Sequence, residues 1–306
     1  MLLYSARRLL WGLAVLLGVS VITFIVAFAV PADPARNIGG IHATRAALAN
    51  IRRAYGLDQP LPVQYWDYLT HLLHGDLGRS YSTSEDVLPA VLGRLPYTLI
   101  LGLLGVLFEL AIGVPLGLVA ALNRGRALDR GALLGALLVF SLPPFVLGNL
   151  LLLLFAFHWS LFPLGGADDP QAIILPALTL GLGGAVWYSR LLRTTLLEVL
   201  SADYIRTARA KGLRMRRVVL GHALPNALGP IITQIGLDMG YFLGGVVVVE
   251  SVFAWPGMGK LAYDAISHDD INLIMGTVLV GAVFVVAANL LVDLTQAWLD
   301  PRIRPG

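Results

Sequence analysis

No cysteine occurs among the 306 residues, so disulfides and thiolate-held metals are excluded. Charge is nearly as scarce: Asp, Glu, Lys and Arg make up 13% of the chain, where a soluble domain carries roughly 25%. A chain that is 57% hydrophobic and this poor in charge presents most of its surface to lipid rather than to water. Signatures of covalent chemistry are missing too. No G-x-x-x-x-G-K-S/T phosphate loop is present, and the nearest string, Gly257-Met258-Gly259-Lys260-Leu261, ends in leucine. Neither a G-x-S-x-G nucleophile elbow nor an H-E-x-x-H zinc helix appears. The expectation is a chain that is not an enzyme, holds no cofactor or metal of its own, and binds no nucleic acid. If ATP drives it, another chain hydrolyses the ATP.

What the chain does contain is long apolar runs. Six reach spanning length or nearly so: Leu9–Val30, Tyr97–Leu122, Gly131–Phe157, Gln171–Ser189, Ala227–Val249 and Ile271–Leu299. They lack barrel-type alternation, and lipid leaves no water to satisfy backbone groups, so each reads as a helix. The first run follows Arg7-Arg8 and ends near Ala27-Phe28-Ala29, which also resembles a signal peptide or a twin-arginine export signal. Its length favours a retained spanning helix. Basic residues set the orientation. Placing the N-terminus in the cytoplasm puts Arg7, Arg8, Arg124, Arg126, Arg130, Arg190, Arg193, Arg302 and Arg304 inside, together with the basic residues of 198–226. The predicted fold is an all-α polytopic membrane protein with six spans, both termini cytoplasmic.

This divides the chain into a tail and first span (1–30), an extracytoplasmic segment (31–96) and a five-helix core (97–306). Within the outer segment, Thr44 to Tyr55 and Tyr65 to Leu73 read as short helices, the second carrying interfacial aromatics. His71 and His74 sit near Asp67 and Asp76 but lack a third ligand at a convincing spacing, so they read as exposed loop histidines. Glycine and proline interrupt the spans at Gly113-Val114-Pro115, Pro143-Pro144, Pro176 and Gly244-Gly245, which a helix bundle tolerates where neighbours re-satisfy the backbone.

Acids inside a membrane are rare. Glu109 falls near the middle of the second run, Asp238 near the middle of the fifth, and Asp293 late in the sixth, close enough to the inner face to be an interfacial charge. Glu109 and Asp238 either line a translocation path, with Tyr241 and Phe242 beside them, or face the bundle interior for packing. A proton relay is a third reading.

The remaining feature is a charged island, Glu198 to Asn226, between the fourth and fifth runs. Tyr204, Ala208, Lys211/Gly212 and Met215 fall on one face at three-to-four spacing, with arginines opposite. Asp203 suits a helix N-terminus, Gly212 permits a turn and Pro225 marks a second break. By its chemistry alone this is either a basic amphipathic loop resting on anionic lipid or a docking element.

The order Ala208-x-x-x-Gly212, then nine residues, then His222-Ala223-Leu224-Pro225 resembles the "EAA" loop of binding-protein-dependent ABC importer permeases. The wording Asp203-Tyr204-Ile205-Arg206-Thr207-Ala208-Arg209-Ala210-Lys211-Gly212 is similar to the dipeptide/oligopeptide (nickel) branch, first-type subunit. Arg206 stands where the general pattern has Glu, as in that branch. Further matches run through the whole chain, among them Tyr55-Gly56-Leu57-Asp58-Gln59-Pro60, Gly75-Asp76-Leu77-Gly78-Arg79-Ser80, Phe253-Ala254-Trp255-Pro256-Gly257-Met258-Gly259 and Asp300-Pro301-Arg302.

The resemblance implies a type I ABC importer permease in the bacterial inner membrane, with a cytoplasmic coupling helix. Its partners would be a second homologous permease subunit, two ATPase subunits carrying the ATP and magnesium, and an extracytoplasmic solute-binding protein received by 31–96. Coupling would fall to Asp203, Tyr204, Arg206, Ala208, Arg209, Ala210, Lys211, Gly212, Leu213, His222, Leu224 and Pro225. The cargo implied is di- or oligopeptides. Nickel chelates, haem, glutathione or oligosaccharides on the same architecture are the alternatives, and an ion-coupled carrier or a membrane scaffold the rivals from other classes.

Overall fold

A computed structural model of the chain describes residues 2–29, 34–40, 42–54, 56–243 and 246–299. Among these every named regular element is a helix, joined by turns and irregular stretches, with one isolated antiparallel bridge between Arg79 and Asp86. The expectations placed on Gly244-Gly245, on the side chain of Asp293, and on Asp300-Pro301-Arg302 and Arg304 lie outside the described residues.

Four helices are long and apolar enough to cross a membrane, and two bent pairs pass that test together, giving six if each pair counts once. α1 (Leu2–Ala29) extends back through Arg7 and Arg8, both good helix formers. α2 (Pro34–Gly39), α3 (Arg45–Ala54) and α4 (Leu61–Leu73) follow in the segment 31–96. α5 (Val87–Leu122) begins ten residues before Tyr97. Pro96, taken from sequence as the segment boundary, therefore lies inside a helix, its missing donor tolerated as in other membrane helices.

The third run is a pair rather than a rod. α6 (Ala127–Phe140) and α7 (Pro144–Leu151), continued by a π-turn over Leu152–His158, are bent by 100° at Ser141-Leu142-Pro143. Pro143 adopts φ −56°, ψ 145°, the extended conformation forced on a residue that precedes proline. At 1.5 Å per residue each limb spans roughly 21–23 Å, short of a hydrocarbon core of about 30 Å. α8 (Ile174–Leu200) opens on a 3₁₀ turn whose Asp169 carboxylate accepts from the Gln171 amide at 2.8 Å. It runs well past Ser189, so Arg190, Arg193 and Glu198 belong to a spanning helix and not to a loop.

Next come α9 (Asp203–Ala210), α10 (Met215–Val218), a π-turn (Val219–Ala223), α11 (Leu224–Ala227) and α12 (Gly229–Leu243). The stretch from Met215 to Ala227 meets α12 at a bend of 46°. α13 (Val247–Val252), α14 (Met258–Ser267) and α15 (Ile271–Leu299) complete the order.

The chain forms two compact units. One comprises Met1–Thr98, Leu243–Val247 and Pro256–Gly306. In it α1 lies along α15, so close that a β-carbon on Gly12 would stand 2.7 Å from Val286. Phe24 packs edge-on against Tyr65 of α4 at 5.3 Å between centroids, over Ile271 and Met275 of α15. The outer face of α1 carries Leu10, Trp11 and Ile22 exposed, as lipid contact requires.

The other unit comprises Leu99–Phe242 and Val248–Trp255. Here α5 and α8 meet through glycines. A β-carbon on Gly113 would stand 2.7 Å from the Ala185 carbonyl, and one on Gly117 2.6 Å from the Ser189 carbonyl. In lipid no hydrophobic force drives helices together, so close backbone approach supplies the attraction by van der Waals contact.

Candidate functional site

α9 starts after Ala202, which is extended at ψ 151°, and stops where Gly212 takes φ +78°. That left-handed conformation ends helices and favours glycine. The space beside Gly212 is open, so the residue is needed for its backbone freedom and not for close approach. Asp203 occupies the first turn, where its charge complements the helix N-terminus, and meets Arg206 at 3.4 Å in an exposed pair that contributes little.

Of the face that the three-to-four spacing marks, Ala208 turns inward and Tyr204 and Met215 do not. Ile205 and Ala208 are buried among Leu192 and Leu196 of α8, Val218, Ala223 and Ala227, while Tyr204 and Met215 are exposed. The physical reason is the break at Gly212, which resets the helical phase: a periodicity carried from Tyr204 to Met215 crosses two helices. Ala208 is therefore small to fit this chain's own core. Asp203, Tyr204, Arg206, Arg209, Ala210 and Lys211 form an exposed surface. Leu213 and Leu224 pack half-buried against the same cluster, whereas His222 and Pro225 are exposed.

One hydrogen bond ties this segment to α8, and an ion pair ties α8 to α6. The Thr195 hydroxyl donates to the Ala227 carbonyl at 3.2 Å. Arg193 grips Asp129 at the head of α6 with two bonds, Nε to Oδ1 at 2.7 Å and Nη2 to Oδ2 at 2.8 Å, and Asp129 also accepts from the Gly125 amide at 2.9 Å. The pairing was not visible in the sequence, because 64 positions separate the two residues.

The four candidate path residues do not share one environment. Glu109 is buried at 3% exposure, against α8 at Gly184, where any β-carbon would collide with its carboxyl group. Its Oε2 has no hydrogen-bond partner among the described residues. Phe242 is buried over Gly102 and Gly105. Asp238 is half-buried, accepting from the fully buried Tyr188 hydroxyl at 2.5 Å and from Gln234 at 2.9 Å. Tyr241, 75% exposed, is the one whose side chain stands open. Glu109 and Phe242 thus pack within their own unit and do not line an open surface of it. Tyr188, a tyrosine in an apolar run, is the polar partner that sequence reasoning missed.

In the segment 31–96, the His71 Nδ1 donates to the Asp67 carbonyl and the His74 Nδ1 to the Thr70 carbonyl, both at 2.7 Å. Among the described residues no three metal-ligating side chains gather. A different residue organises this segment. Asp270, just before α15, accepts from the Ser80 hydroxyl at 2.6 Å, the Ser82 hydroxyl at 2.8 Å and the Ser82 amide at 3.0 Å. Burial raises its affinity for a proton, but these bonds and one from the Leu273 amide outweigh it, leaving the carboxyl below its ordinary range.

The family described as "Binding-protein-dependent transport system inner membrane component" matches residues 113–305, and its N-terminal counterpart matches residues 1–102. The glutathione transport system permease protein GsiC of Salmonella typhimurium is 41% identical over 304 residues, covering 99% of both chains. The probable D,D-dipeptide transport system permease protein DdpB of Escherichia coli is 42% identical, covering 98% of this chain and 97% of its own. Among solved structures, the inward-facing MetNI methionine ABC transporter superposes with a TM-score of 0.57 at 20% identity, covering 70% of this chain and 96% of that one. An amino acid ABC transporter with histidines gives 0.53 at 16%, covering 69% and 94%.

Proposed function

The chain belongs to the family of binding-protein-dependent transport system inner membrane components, the permeases of ABC importers, and on that premise we propose that it imports di- or oligopeptides. The observation that carries the cargo is the full-length likeness to permeases named for a tripeptide and a dipeptide. The chain would form half of the path, a second permease the other half, with two ATPase subunits below and a solute-binding protein above. Both termini and α9 would face the cytoplasm.

The exposed surface of α9 would seat on an ATPase subunit, with Tyr204, Arg206, Arg209 and Lys211 as the contacts. Ile205 and Ala208 would carry the motion inward, because they are buried against Leu192 and Leu196 of α8. A short helix clamped this way moves as a rigid body with the span it touches, which is what conversion of ATPase closure into alternating access requires. Tyr241 on α12 is the residue we assign to the path. Hydrolysis of ATP, with its magnesium, belongs to the ATPase chains.

The test is reconstitution of the chain with its permease, ATPase and binding-protein partners in vesicles, followed by uptake of labelled dipeptide and glutathione. ATP-dependent accumulation of the dipeptide supports the reading, and accumulation of glutathione alone selects that alternative cargo on the same architecture. Accumulation of a nickel chelate, haem or an oligosaccharide instead overturns the cargo, and uptake without ATP overturns the mechanism.

A further inference from the structure

Past Gly212 the chain changes character. Arg214, Arg216 and Arg217 surround a groove of about 450 Å³ completed by Leu220 and Gly221. All three arginines are exposed, and none has an ion-pair partner among the described residues. Asp203 is the only acid between residues 199 and 226, and it pairs with Arg206 on α9. Two large apolar side chains share this outer surface: Met215 at 47% and Leu220 at 45% exposure. The opposite side of the same turns, Val218, Val219 and Ala223, is buried. From here the chain passes through α11 directly into α12, so the arginines stand at the point where it enters the membrane.

Guanidinium groups beside exposed aliphatic side chains at a membrane entry are the chemistry of the lipid interface: the charges meet phosphate and the aliphatic groups enter the acyl boundary. We propose that the Arg214–Arg216–Arg217 groove is a binding site for the headgroup of an anionic phospholipid. The island between the fourth and fifth spans then has two seats. α9 presents its polar surface away from the chain, and α10 rests on lipid. An anionic headgroup held at the pivot would fix the level at which α9 is presented. The assignment of the leaflet to the cytoplasmic side rests on the orientation proposed above; the lipid preference itself does not.

The experiment uses the full chain in phosphatidylcholine nanodiscs doped with phosphatidylglycerol, with retained lipids counted by native mass spectrometry. Each arginine near an anionic surface contributes on the order of fivefold in affinity. The wild-type chain should therefore retain phosphatidylglycerol over phosphatidylcholine. The Arg214→Gln/Arg216→Gln/Arg217→Gln variant should lose that preference, and the corresponding triple lysine variant, which keeps the charge, should retain most of it. An Arg206→Gln/Arg209→Gln variant on α9 should retain it in full. The proposal is overturned if the glutamine variant selects phosphatidylglycerol as the wild type does, if the lysine variant loses the preference as completely, or if the α9 variant loses it equally. It is also overturned if the glutamine variant keeps its lipid preference but no longer co-purifies with the ATPase, since the groove then belongs to a protein interface. Peptide uptake is not the readout, so failure here leaves the transport reading standing.

Discussion

Arg193 of α8 and Asp129 of α6 form a two-pronged ion pair, 2.7 and 2.8 Å, that ties the turn after α5 to the helix leading into α9. Asp129 is almost fully buried and Arg193 mostly so. Removing one partner leaves the other charge uncompensated. Arg193→Ala is expected to lower the melting temperature in detergent more than Arg193→Lys, which keeps the charge but cannot make both bonds. The same order is expected for loss of ATPase stimulation by cargo-loaded binding protein in the reconstituted complex.

The α5–α8 seam should be intolerant of added volume. Gly117→Ala would drive a β-carbon to 2.6 Å from the Ser189 carbonyl, and the forced shift is expected to cost about 1–3 kcal/mol. Gly93→Ala, on the same helix with open space around it, is expected to be neutral or stabilising. Thermal unfolding of the two variants side by side checks this.

Gly212 and Ile205 separate backbone from packing at α9. Gly212→Ala places a β-carbon on a residue at φ +78° and is expected to cost roughly 1–2 kcal/mol. Gly221→Ala, with nothing nearby and no positive φ, should cost nothing measurable. Ile205→Ala empties a fully buried position and is expected to cost about 2–5 kcal/mol while leaving the exposed surface of α9 unchanged in composition. Faster proteolysis within 198–226 is the accompanying sign.

How much of this was readable beforehand depends on the distance over which each feature is specified. Apolar runs are local, and α1, α8 and α15 overlap the runs that hydropathy marked, although α1 starts earlier and α8 continues to Leu200. The bend at Pro143 was visible as a Pro-Pro pair, but a continuous apolar run concealed that neither limb is long enough to span. Which side of α9 turns inward was not legible, because the turn at Gly212 resets the helical phase and no single periodicity runs from Tyr204 to Met215. Asp129 with Arg193, Tyr188 with Asp238 and Ser80 with Asp270 are pairings across 64, 50 and 190 positions, and no periodicity reaches that far. Glu109 was legible as a rare acid with the bundle interior as one of its readings, and only the structure chooses that reading, since sequence does not say which side of a spanning helix meets a neighbour.

Asp270 makes the segment 78–86 sensitive to acid. Its folded carboxyl binds a proton less readily than an unfolded one, so the stability it contributes is complete above the ordinary aspartate value of about 3.9 and is lost as pH falls through the lower folded value. Protection of the Ser82 amide relative to its intrinsic exchange rate is expected to hold at neutral pH and to fall once the pH drops below the ordinary aspartate value and the bonded carboxylate is titrated. Asp270→Asn should show the faster exchange at every pH and a flattened profile.

The central claim, that the outward surface of α9 is the seat of the ATPase, can be tested most directly by site-specific cross-linking. The chain has no cysteine, so each introduced one is unique. Arg206→Cys and Arg209→Cys, both on the exposed surface, should cross-link to an ATPase subunit in the assembled transporter, with a yield that changes when ATP is added. Ile205→Cys, fully buried against α8, should not cross-link. Equal yields from Ile205→Cys and Arg206→Cys, or no cross-link from either exposed position in a complex that still imports, would contradict the account.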